Sequence, residues 1–94
     1  MYAVVRRYDG AIDPAETARR VQEGFIPLVR EVPGFVAYYA VDAGGGVIVS
    51  ISVFQDQAGS EESTKRAADY IRGNLASLLP NPPQVTAGEI VASG

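Results

Sequence analysis

The chain predicts an α+β fold in which two helices cover one face of a four-stranded antiparallel sheet. Three observations carry this. Two stretches place apolar residues at helical spacing and end on proline. Four stretches rich in β-branched and aromatic residues surround them, in the order β-α-β-β-α-β. At 94 residues the chain forms one domain, 1–94, because chains usually divide only beyond about 250 residues.

Tyr2 to Tyr8 reads as the first strand and ends at the turn signal Asp9-Gly10. Asp13-Pro14-Ala15-Glu16 opens the first helix. Asp13 is placed to cap it, Pro14 suits its first position, and Glu16 is placed to reach back as in a capping box. Ala18, Val21, Phe25, Leu28, Val29 and Val32 make one apolar face, while Gly24 and Pro27 predict a kink near Phe25. Pro33-Gly34 stops the helix. Phe35 to Val41 and Val47 to Phe54 carry no charge and flank Ala43-Gly44-Gly45-Gly46, which predicts a hairpin. Ser60-Glu61-Glu62 opens the second helix, with Ala67, Ala68, Ile71, Leu75, Leu78 and Leu79 on its apolar side. Glu61 with Lys65 and Glu62 with Arg66 stand in the favourable i, i+4 order. Pro80-Asn81-Pro82-Pro83 ends that helix, and Val85 to Ala92 makes the last strand. The simplest packing of this string is ferredoxin-like, with both helices on one face of the sheet.

Composition excludes several function classes. The chain has no Cys, which removes disulfides, thiolate ligands and cysteine nucleophiles. It has no His, which removes the usual general base and most metal and haem ligation, so neither a cofactor nor a metal is expected. Eight Lys plus Arg against eleven Asp plus Glu give a net charge of −3, with no basic footprint for nucleic acid. The acidic residues show no metal-loop spacing, and the Gly44-Gly45-Gly46 run precedes no helix that would cradle a phosphate. No uncharged stretch approaches the roughly 18 apolar residues of a membrane span. The N-terminus carries its charge after its apolar run, the reverse of a signal peptide. A cytoplasmic protein is therefore the expectation.

The helices cover only one sheet face, and the other is expected to be polar at every second residue if water covers it. The hairpin strands do not comply. Neither parity of Val47 to Phe54 carries a charge, and in Phe35 to Asp42 the first charge is Asp42 itself. The all-branched set Val47, Val49, Ile51 and Val53 suits the helix-packed side, leaving Ile48, Ser50, Ser52 and Phe54 for the free face. The glycine-rich turn leaves the parity of the second strand open. Burying about 600 Å² of apolar surface per subunit contributes roughly 15 kcal/mol before the costs of association, which favours a homodimer.

A β-α-β-β-α-β chain of this length, with Pro33-Gly34-Phe35 opening the second strand and Phe54-Gln55-Asp56-Gln57 closing the third, resembles the dimeric α+β barrel proteins. More narrowly, it resembles the antibiotic biosynthesis monooxygenase-like group. The resemblance implies two sheets paired face to face into an α+β barrel, with a ligand held between sheet and helices. Members of the group vary in activity: some oxidise polycyclic aromatic substrates without metal or cofactor, others degrade haem, and many have no assigned activity. The oxygenases use an asparagine and, four residues later, a tryptophan on the third strand; by position those roles fall on Ser50 and Phe54. Serine lacks the amide pair and phenylalanine lacks the indole N–H. The haem-degrading members use an axial histidine, which this chain does not have.

The candidate ligand-binding residues are Ser50, Phe54, Tyr39, Phe25 and Arg6. Aromatic walls with a few hydrogen-bonding groups suit a small hydrophobic or aromatic ligand, and the same rings also suit a core or an interface. Arg6 and Arg7 are consecutive on a strand, so one points to each face, and a buried one would anchor an anionic or enolate oxygen. Two functions follow: a non-catalytic module that binds a small ligand, and a cofactor-independent monooxygenase-like enzyme acting on a small aromatic substrate.

Overall fold

The computed structural model describes residues 1–94 and places the elements in the expected order. Strand β1 spans Tyr2–Tyr8. The Asp13 carboxylate accepts from the Glu16 N–H at 3.1 Å and caps helix α1 (Pro14–Arg20). Glu16 does not close a capping box; it pairs with Arg19 and Arg20 instead. The expected kink is a π-helical segment, Val21–Phe25, which leads into a short α2 (Ile26–Val29). The Ile26 N–H reaches the Val21 carbonyl five residues back, so Pro27 falls at the start of a new α-turn, where its missing donor leaves no gap.

Strands β2 (Phe35–Gly44) and β3 (Val47–Phe54) meet at Gly45 and Gly46, whose φ values of +61° and +78° only glycine adopts freely. β2 runs on past Val41, and the Asp42 carboxylate accepts from the Gly44 N–H at 3.0 Å. Helix α3 (Gln57–Tyr70) starts ahead of Ser60, because Asp56 accepts from the Gly59 N–H at 2.9 Å and is the cap. Glu62 pairs with Arg66 at 3.3 Å, whereas Glu61 accepts from Gln57 and not from Lys65. A second π-helical segment, Ile71–Leu75, continues α3. Strand β4 (Gln84–Glu89) stops short of Ala92 because it pairs only with β1; the Ile90 N–H still meets the Met1 carbonyl, and there the partner strand ends.

The sheet order is β2-β3-β1-β4, and every neighbouring pair is antiparallel, so the fold is ferredoxin-like α+β. One expectation is reversed. Ile48, Ser50, Ser52 and Phe54 lie buried under the helices, while Val47, Val49, Ile51 and Val53 line the open face. Helix α3 explains the reversal. Its buried side is Gly59, Ser60, Ser63 and Ala67, all small, so it approaches the sheet closely and the serines of β3 leave the room it needs. The helix hydroxyls are satisfied locally: Ser63 donates to the Ser60 carbonyl at 2.7 Å and Ser60 to the Gln57 carbonyl at 2.8 Å. Register carries the same parity to the neighbours, with Arg6 opposite Ser50 and Tyr38 opposite Ser52. Ala3, Val5, Ala37, Tyr39 and Val41 therefore join the branched residues on the open face. The only charge among its strand residues is Arg7, paired with Asp9 at 3.1 Å.

The core between sheet and helices is split. Phe25, Val29, Val32, Phe54 and Ala67 form one cluster, and Tyr8, Ile48, Leu75 and Leu79 form the other. Val21 and Tyr70 pack against both.

Candidate functional site

Where the two clusters fall short of meeting, a cavity of about 60 Å³ remains. The sheet supplies the hydrogen-bonding groups of a mixed floor, Arg6 and Tyr8 from β1, Tyr38 from β2 and Ser50 from β3, with Ala40 and Ile48 between them. The helical layer supplies a largely apolar roof, in which both π-helical segments take part through Val21, Phe25, Ile71 and Leu75. π-Helical turns recur where a helix must present side chains to a site. Phe25 meets Tyr38 edge-on at 5.5 Å and Tyr70 at 5.6 Å, and the Tyr70 hydroxyl donates to the Arg20 carbonyl at 2.8 Å. That phenol passes directly over Gly24, where a β-carbon would collide with it. Gly24 is thus the place where one helical rod lets the other close the roof.

The electrostatics of the floor centre on Arg6, which is 3% exposed. Its guanidinium donates to Thr64 Oγ1 at 2.7 Å and to Ser52 Oγ at 3.5 Å. Thr64 in turn donates to the Ser60 carbonyl at 3.0 Å, which holds it in place as an acceptor. Burial pulls the Arg6 pKa below its usual range, and the neighbouring Tyr8 and Tyr38 phenols partly offset this. Burial likewise pushes the Tyr8 phenol up to about 12, against the pull of the Arg6 cation. Tyr38 is raised by burial too, and the Ser50 hydroxyl and Arg6 partly counter it. Both phenols are therefore neutral donors at ordinary pH.

The structure brings together three of the five candidate residues: Arg6, Ser50 and Phe25 line the cavity. Phe54 is fully buried in the first core cluster, stacked edge-on with Phe35 at 6.0 Å, and does not reach the cavity. Tyr39 is 60% exposed on the open face, the far side of the sheet from the cavity. Its neighbour Tyr38 occupies the inner position, since a bulge between Phe35 and Ala37 sets the parity of β2. Tyr8 and Tyr70 also belong to the site and were not among the candidates. Tyr8 shares a strand face with Arg6, two residues away, so the alternation of β1 was the signal for it. Tyr70 closes α3 three residues after buried Ala67, so helical spacing was the signal for it.

The fold has counterparts among solved structures. A protein of unknown function from Nitrosomonas europaea is 25% identical, with 99% of this chain aligned to 91% of that one at a TM-score of 0.76. A monooxygenase of Streptomyces coelicolor, solved in complex with nanaomycin D, is 23% identical over 98% of this chain and 92% of its own, at a TM-score of 0.71. A cofactor-independent oxygenase from Streptomyces nogalater reaches a TM-score of 0.75 at 16% identity, over 98% and 94% of the two chains. The chain has the antibiotic biosynthesis monooxygenase fold. No protein-family model and no curated protein matches its sequence. Chains with this monooxygenase fold thus include named oxygenases and proteins of unknown function alike. No helix of the structure is long and apolar enough to cross a membrane.

Proposed function

We propose that the chain binds a small, largely apolar ligand in this cavity, and that two chains pair through their open sheet faces into an α+β barrel. The observation that carries the ligand reading is the division of the cavity into a hydrogen-bonding floor and an apolar roof, the arrangement that orients a small molecule while burying it. Its volume of about 60 Å³ is well under the roughly 150 Å³ that takes up benzene. A ring therefore enters only by extending into the open side of the cavity or by displacing Phe25 and Tyr70. Dimerisation is supported by the valines, Ile51 and Tyr39 of the open face, an apolar surface broad enough to call for cover.

Catalysis as a cofactor-independent oxygenase is the second reading, favoured by one observation: Ser50, at the position of the oxygenases' asparagine, faces the cavity. Phe54, at the position of their tryptophan, is sealed in the core, which weighs toward binding without turnover. Calorimetric titration with small phenols and hydroquinones, run beside an oxygen electrode, separates the two. Binding heat without oxygen uptake is the expected result. Uptake abolished in Ser50→Ala would establish the enzyme reading, and the absence of both signals would overturn the site altogether.

A further inference from the structure

The charge of Arg6 has no counterpart in the chain, and this bears on which ligand the cavity takes. The inference rests on the ligand-binding reading above. Arg6 presents five donors, and its two hydrogen-bond partners, Thr64 and Ser52, are neutral hydroxyls. Seven ion pairs form in the structure and none includes Arg6. Asp42, the carboxylate on the cavity wall, is turned to the Gly44 N–H at the hairpin end. The adjoining phenols of Tyr8 and Tyr38 are kept protonated by burial and bring no negative charge. Buried guanidinium groups are ordinarily matched by carboxylate or phosphate, because an unmatched buried charge is costly.

We propose that the cavity is a receptor for a small planar oxyanion, a carboxylate or an enolate or phenolate oxygen on a short apolar body, with Arg6 as its counter-ion. The planar guanidinium fork matches one or two anionic oxygens in its plane, and the Ser50 hydroxyl on the same floor is a second donor. Phe25, Leu75 and Ile71 on the roof select for a hydrocarbon body and against a fully hydrated inorganic anion. The limited volume selects for a short one.

The test compares charged probes with neutral ones of matched shape. Sodium propionate and benzoate are titrated against propionamide and benzamide by calorimetry, and 4-nitrophenol is titrated below and above its own pKa. Sodium chloride at equal ionic strength is the control. The anions are expected to bind at least about ten-fold more tightly than their neutral matches. Preference in the propionate and benzoate arm assigns a carboxylate, and preference in the nitrophenol arm assigns a phenolate or enolate. Arg6→Met is expected to abolish the preference. Arg6→Lys, which keeps the charge without the fork, is expected to retain part of it and serves if the methionine variant does not fold. Equal affinity for charged and neutral probes in both arms, an equal response to chloride, or a preference surviving in Arg6→Met would each overturn the oxyanion. Neutral probes binding as well as charged ones would leave the ligand-binding reading standing, whereas no binding by any probe would remove both.

Discussion

Arg6 and Arg7 show how far one residue of alternation reaches. Arg6 turns inward, loses its water and is met only by hydroxyls; Arg7 turns outward and pairs with Asp9 in solvent. That the two would differ was legible in the sequence, since adjacent strand residues point to opposite faces. Which would be buried was not, because both faces of the sheet are apolar. Tyr8 shares the inner side, and its consequence is measurable. Its phenol titrates near 12 in the folded chain against 10 for an ordinary tyrosine. A group raised by folding stabilises fully below its unfolded value and loses that contribution as pH climbs through its folded value. Stability is therefore expected to decline between pH 10 and pH 12, by up to about 3 kcal/mol. Urea unfolding of the wild type and Tyr8→Phe across that range checks this; the variant should show a shallower fall.

At the scale of the element, the helices are more informative than their apolar faces suggested. Gly24 and Pro27 announced an interruption, and the structure turns it into a π-helical segment that lines the cavity together with a second one. Nothing local in Ile71–Leu75 predicted the second segment; Gly73 there meets no neighbouring atom, so no close approach explains it. Gly24, by contrast, is required by the Tyr70 phenol above it. Alanine there gains about 1 kcal/mol of helix propensity but forces the phenol out of its seat, an overpacking that costs about 1–3 kcal/mol. Gly24→Ala is expected to be destabilised by about 1 kcal/mol net. Adding Tyr70→Leu, which removes both the oxygen and the ring carbons that would lie 2.9 and 3.0 Å from the new methyl, should recover part of that loss in a denaturant titration. A Gly24→Ala chain as stable as the wild type would show that the roof yields freely.

For the whole molecule, the consequence of the open face is its oligomeric state. The expectation of an apolar second face rested on the lack of charge in Val47 to Phe54, and the structure has such a face, although built from the other parity. The pairing argument survives the exchange and is strengthened by it, because four branched residues now stand where two serines were expected. Light scattering at micromolar concentration should give about twice the chain mass of 9.9 kDa. Ile51→Glu, which sets a carboxylate in the middle of that face opposite Tyr39, should return the mass to that of one chain while leaving the helical signal unchanged. A wild-type chain that runs as a monomer would overturn the barrel.

The order of elements, the Asp13 cap, the break at Gly24 and Pro27, and the presence of two greasy sheet faces were determined by the sequence alone, since each depends on neighbours within a few residues. Tertiary structure decided which face the helices chose, and with it the membership of the cavity: Tyr38 in place of Tyr39, Tyr8 and Tyr70 added, and Phe54 withdrawn into the core. The reason is steric and not hydrophobic. With no charge to mark an outside, the choice fell to the small residues of α3, Gly59, Ser60 and Ser63, which need serines beneath them to pack closely.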